Sequence, residues 1–357
     1  MGAPDTPNTP SPLKRIVFGL AKRIIGPARW ADCRRRYWIA RHYRNDRLEN
    51  RRWQATAPRL VVASEPSNPR HMYSYFLEWL GRERPELRRR IRVGRIPCDI
   101  PPGTALFHAW VEDPVIERNA HLHAQLDAIE AECARRGVTV VHPARVLSHS
   151  KRDVLCERLG RVGVRTPRIT MVDGMFDAHR GGLALPMLVR VRWGHGAEMR
   201  LLETEAAFAD WWRTARTDPA AWVAGEFVDV RDEDGYYRKY RYVMAGARGV
   251  ARHLIVSPKW EVRPVDRIKT PATRAEELAF VDGPFAQHAL FDAARRALEF
   301  EIAAFDFSYD ATGQLIVWEV NPFPDLSTPR GEVGEYLRAV VERSYALLAD
   351  FYVDNGL

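Results

Sequence analysis

The stretch Ala304–Leu326, AFDFSYDATGQLIVWEVNPFPDL, decides how the rest of the chain is read. Two runs of alternating residues flank a turn at Thr312-Gly313, the pattern of an antiparallel hairpin. Side chains alternate along a strand, so Glu319 and Asn321 share one face while Trp318 and Val320 point the other way. On the first strand Asp306 faces opposite to Phe305 and Phe307. A turn centred on Thr312-Gly313 places Asp306 directly across from Glu319. Three oxygen-bearing side chains then converge on one face, amid Phe, Trp, Ile and Val. Two carboxylates that close repel each other unless a cation lies between them. Aspartate, glutamate and an amide oxygen are a ligand set that suits Mg²⁺ when phosphates and water fill its remaining positions. The apolar flanks argue against the alternative, a solvated hairpin edge that carries acids by chance.

Working outward, a helix over 286–303 leads into this hairpin and a final helix over 334–351 follows it. Strands are expected at 168–172, 185–192, 199–202, 222–230, 240–245 and 250–257, the last two joined across Gly246–Gly249. The segment before them alternates strand and helix: strands at 60–63, 91–96, 105–110 and 138–141, and helices at 72–90 and 121–136, the second stopped by Gly137. That alternation predicts a small parallel sheet with covered faces. The domain boundaries read as a leader and basic helical arm over 1–57, an α/β domain over 58–147, a larger domain over 148–332 and a C-terminal helix over 333–357 packed on that domain.

Composition narrows the class. The chain has 357 residues, 46% hydrophobic and 28% charged, which excludes wholesale disorder and a disulfide scaffold. Net charge is +8, yet residues 14–52 alone carry 13 Lys and Arg against 3 Asp and Glu, so basicity belongs to the arm and not to the body. The arm reads as helical segments broken near Gly26-Pro27, with Ile16, Leu20, Ile24 and Ile25 on one apolar face. A helix packed on the body, an anionic membrane surface or an RNA partner each account for it. Four dispersed cysteines without a zinc pattern, and no transmembrane or secretory segment, point to a reduced, cytoplasmic protein.

The spacing of Asp306, Glu319 and Asn321 within FDFSYD…WEVNPFP resembles the magnesium-binding signature of the ATP-grasp superfamily. The resemblance spans roughly residues 145–330 and extends weakly over the preceding α/β segment. It implies a two-lobed ATP-grasp domain built from antiparallel sheets, with ATP and Mg²⁺ between the lobes. Lys151, in HSKRDVLCERLG, matches a phosphate-binding lysine. LPMLVRVRWGHG places Arg190 where the family carries a second such lysine, a departure that keeps the charge and changes the geometry; Arg192 is its alternate. Gly194, His195 and Gly196 resemble a mobile loop that folds over the phosphates. In AGEFVDV, Glu226, Phe227 and Val228 match the segment along the adenine edge, and Asp229 or Asp232 would take the ribose hydroxyls. Arg241, in YRKYRYVMAG, matches an arginine near the transferred phosphoryl group; Lys239 and Arg252 are further candidates on the same sheet.

The resemblance implies an ATP- and Mg²⁺-dependent carboxylate–amine ligase. A small-molecule or peptide carboxylate is activated as an acyl phosphate and joined to an amine. A kinase acting on a hydroxyl, or a non-catalytic ATP-binding module, would use the same site. His108, His142 and His149 read as structural histidines rather than bases.

Overall fold

Three four-stranded sheets carry the chain in a computed structural model that describes residues 26–54, 57–67, 71–111, 115–192, 199–329 and 331–357. Helix α1 (Pro27–Arg52) starts after Gly26, whose φ of 82° suits glycine, with Pro27 at the first helical position. The helix thus starts at Gly26-Pro27, where the second helical segment was expected to begin, and residues 13–25 of the arm lie outside the described residues. The C-terminal half of α1 docks on the body. Arg95 donates to Asp46 at 2.7 Å, Arg88 to Glu49 at 2.7 Å, and Asn50 both donates to and accepts from the Val93 backbone.

The first sheet is parallel, in the order β2-β1-β3-β4, formed by β1 (Leu60–Ser64), β2 (Ile91–Arg95), β3 (Leu106–Trp110) and β4 (Thr139–Val141). β1 and β3 are buried along their whole length, as strands covered on both faces must be. The intervening helices include α2 (His71–Glu83) and α3 (Ala120–Arg135), the latter capped where Asn119 accepts from the Leu122 N–H. The single helix expected over 72–90 is two, because Pro85 opens a separate turn, Pro85–Arg89.

After α4 (Arg152–Gly160) comes an antiparallel sheet in the order β5-β8-β6-β7: β5 (Ile169–Met171), β6 (Met187–Val191), β7 (Met199–Leu202) and β8 (Trp222–Glu226). It has its own core, in which Phe208, Trp211 and Trp212 of α5 (Glu205–Ala215) pack on Met187 and Val189. The sequence pattern left α5 unassigned and ran β8 four residues too far.

The third sheet, also antiparallel, has the order β10-β9-β11-β12: β9 (Tyr237–Ala245), β10 (Arg248–Ser257), β11 (Ile302–Tyr309) and β12 (Leu315–Asn321). α6 (Pro271–Asp282) and α7 (His288–Ala297) contribute to its back face, where Phe291 stacks on Phe305 with ring centroids 4.3 Å apart. The helix expected over 286–303 ends at Ala297, since Glu299 at φ 58° turns the chain into β11. The final helix α8 (Arg338–Asp354) buries Tyr345, Leu348 and Tyr352 in a cluster shared by the first and third sheets. All four cysteines are free, and among the described residues no helix is long and apolar enough to cross a membrane.

Candidate functional site

One cross-strand row of the third sheet collects the charged side chains. His253 of β10 lies opposite Arg241 of β9, Arg241 opposite Asp306 of β11, and Asp306 opposite Glu319 of β12. The ladder shifts register beside this row on both outer strands, at Arg252 of β10 and at Trp318 of β12. Each shift is a bulge that inserts one extra residue and re-aims side chains. In β12 it corrects an expectation. Val317 and Val320 pack into the phenylalanine core, while Ile316 and Trp318 pack on the other face. Trp318 therefore lines the same cavity as Glu319 instead of pointing away from it. Its Nε1 donates to Ser308 Oγ at 2.7 Å, and Ser308 donates to the Arg238 carbonyl at 2.6 Å.

Asp306 and Glu319 of this row line a cavity of about 420 Å³ between the second and third sheets, while Arg241 and His253 are not in its lining. Its acids are already paired. Arg241 holds Asp306 through two hydrogen bonds of 2.6 and 2.8 Å, and the Lys239 ammonium stands 3.8 Å from the same carboxylate. Arg152, at the start of α4, lies 2.9 Å from Glu319. Asp306 is only 5% exposed, so a bidentate guanidinium is the partner such a carboxylate requires. Burial and the neighbouring Arg241, Arg252, Arg267 and Lys239 hold His253 far below the usual histidine range, so it adds no charge at neutral pH.

The predicted residues divide into those at the cavity and those beside it. Arg190, Glu226, Phe227, Val228, Lys239, Asp306 and Glu319 line it. Phe227 meets Trp260 edge-on at 6.1 Å, giving the cavity an aromatic wall. Asp229 is not in the lining; its carboxylate is taken by Arg231, which keeps it below the usual aspartate range. Lys151 is paired with Glu117, whereas Arg152 next to it reaches the cavity. Arg192 is paired with Asp153 at 2.5 Å. Neither Arg241 nor Arg252 is in the lining; Arg252 donates to the Ser327 carbonyl at 3.0 Å, and burial pushes its guanidinium down to about 10. Gly194, His195 and Gly196 fall outside the described residues. Arg152, Ser308, Trp260 and Trp318 line the cavity without having been singled out in the sequence. Only Arg152, adjacent to Lys151, carried a local signal.

Among the described residues no three His, Cys, Asp or Glu side chains cluster as metal ligands. The candidate set is instead two carboxylates and the amide of Asn321, whose Oδ1 accepts from the Phe323 N–H at 2.7 Å and retains a second lone pair. Asp306 and Glu319 offer carboxylate oxygens at the cavity, a chemistry that fits a hard divalent cation, while Asn321 is not in the lining.

A second set of buried polar groups lies near Phe323. His142 Nε2 accepts from the Glu301 and Ile302 N–H groups, both at 3.0 Å, and His108 Nδ1 is 2.7 Å from the Tyr352 hydroxyl. The two imidazoles are 5.5 Å apart between centroids. Burial keeps both neutral, His142 down to about 3 and His108 far below its usual range. Neither lines the cavity.

No family model matches the sequence and no curated protein matches it. Solved structures match its fold. A D-alanine–D-alanine ligase from Bacillus anthracis complexed with ATP superimposes with a TM-score of 0.54 at 13% identity, covering 84% of this chain and 96% of that one. The D-cycloserine synthetase DcsG gives 0.52 at 16% identity, covering 80% and 99%. The ATP-grasp ligase PsnB, complexed with a minimal precursor, gives 0.51 at 14% identity, covering 80% and 99%. The parallel sheet followed by two antiparallel sheets is thus an ATP-grasp fold.

Proposed function

We propose that the protein is an ATP- and Mg²⁺-dependent ligase that activates a carboxylate as an acyl phosphate and joins it to an amine. The observation that carries this reading is the pair Asp306–Glu319, backed by Arg241 in the same cross-strand row and lining a cavity with an aromatic wall. The nucleotide base would lie against Phe227 and Trp260, its edge read by the backbone at Phe227 and Val228. Its phosphates would reach Arg190, Arg152 and Lys239. Asp306, Glu319 and Asn321 would hold Mg²⁺, which supplies charge neutralisation to the phosphates.

A carboxylate oxygen of the acid attacks the γ-phosphorus and the bond to the bridging oxygen breaks, releasing ADP. The amine nitrogen then attacks the acyl carbon, the C–O bond breaks, phosphate leaves and the amine's proton passes to solvent. Arg241 and Arg252 would stabilise the negative charge that develops in both steps. The departure from lysine at Arg190 keeps a cation on β6, facing the same cavity.

Isothermal titration with a non-hydrolysable ATP analogue, with and without Mg²⁺, tests the site, and Glu319→Ala should weaken the metal-dependent binding. ADP release that requires both an acid and an amine establishes the ligase. Release with a hydroxyl acceptor alone would make it a kinase, and no turnover with any acceptor would leave a binding module.

The arm is proposed to touch an anionic membrane surface. In the N-terminal half of α1, Tyr37 and Trp38 are exposed beside Arg34, Arg35, Arg36 and Arg41. Binding to phosphatidylserine vesicles that weakens with salt supports this; retention on RNA but not on vesicles overturns it.

A further inference from the structure

We infer that Arg152 and Arg241 are positioning residues that reserve the Asp306–Glu319 pair for a metal–nucleotide complex and deny it to the free metal. This rests on the ligase reading of the site. Both carboxylates already have cationic partners supplied by the protein: Arg241 and Lys239 on Asp306, Arg152 on Glu319. Arg152 and Asp306 are 6% and 5% exposed, so little water screens these contacts. Three cationic groups, Arg241, Lys239 and Arg152, therefore meet these two acids. A divalent cation arriving alone must take from largely buried guanidiniums the carboxylates that neutralise them, a costly outcome.

A polyphosphate changes that balance. It offers oxygens to the displaced guanidiniums, so the acids become available to the metal as the phosphates arrive. The placement of the arginines makes the exchange short. Arg241 sits in the same cross-strand row as both acids, and Arg152 at the first turn of α4 lines the cavity beside Glu319. Metal and nucleotide binding are therefore coupled, and coupling of binding free energies is reciprocal.

The test uses the full chain and reads binding, not turnover. Mn²⁺ affinity is measured by electron paramagnetic resonance with and without a non-hydrolysable ATP analogue, in wild type, Arg152→Met and Arg152→Lys. Wild type should bind Mn²⁺ at least ~10-fold more tightly with the analogue than the larger of its affinities for protein alone or analogue alone, within the usual range of coupling. Arg152→Met should bind Mn²⁺ alone more tightly than wild type and lose most of the coupling. Arg152→Lys, which keeps the charge, should retain it. Equal Mn²⁺ affinity with and without the analogue in wild type overturns the inference while leaving the nucleotide site intact, and so does an unchanged metal-alone affinity in Arg152→Met. Failure of wild type to bind the analogue under any condition overturns the ligase reading and this inference together.

Discussion

Two sets of buried polar side chains approach the same short run of chain, Asn321–Phe323, and they are built on opposite principles. In the cleft, Asp306 and Glu319 are met by more cationic groups than they need, along a wall that opens on a cavity. Near Phe323, His108 and His142 are neutral, boxed by Trp110 and Phe300, and bonded to the fold itself. A shifted pKa alone would mark the histidines as the active groups. The contrast teaches that a candidate site is marked by ion-paired groups facing open volume, while groups shifted mainly by burial serve the scaffold.

Asp306→Ala should give the largest effect. It removes the bidentate partner of the largely buried Arg241, so urea unfolding should show a loss of about 3–5 kcal/mol. ATP turnover should fall at least ~1,000-fold. Adding Arg241→Met should recover most of the stability and none of the turnover; recovery of both would dissolve the distinction between the two sets. Next comes pH. The folded pKa of His108 and of His142 lies below that of the unfolded chain, so as pH falls the unfolded state takes up protons first. Their contribution is complete above about pH 6.5 and is lost progressively toward pH 3 for His142. Between pH 7.5 and pH 5 this amounts to about 2 kcal/mol for His142. Urea titrations at the two pH values measure it, and His142→Gln should shrink the loss by one histidine's share. Trp260→Ala should give the smallest change: analogue affinity falls ~10-fold through the lost aromatic contact while the unfolding midpoint barely moves. A large drop in stability there would place Trp260 with the scaffold.

Much of the third sheet was legible because its hairpin alternates cleanly, which fixed Asp306 across from Glu319. The bulge was not legible. Alternation assumes one residue per ladder step, and nothing in LIVWEVN marks the extra one that swings Trp318 into the cavity. Helix α5 was missed although Thr204 caps it, because EAAFADWWRTA reads as an apolar run without a partner until its core is seen. Arg152 was hidden by the abundance of arginine, and its role follows only from where α4 begins relative to Glu319. Asp229 looked available on a charged turn, yet Arg231 two residues on occupies it.

The final helix also has a mechanical consequence. Leu348 and Tyr352 belong to a single apolar mass with Leu60 and Phe107 of the first sheet and Val243 and Ile302 of the third, so parting those sheets would flood a common core. The second sheet keeps its aromatic core to itself, and links such as Arg192–Asp153 and the Arg152 N–H to the Arg192 carbonyl tie it to α4. Those polar links can be exchanged for water at small cost. The first and third sheets are thus welded into one body through α8, while the second sheet keeps a core of its own and meets α4 through polar links.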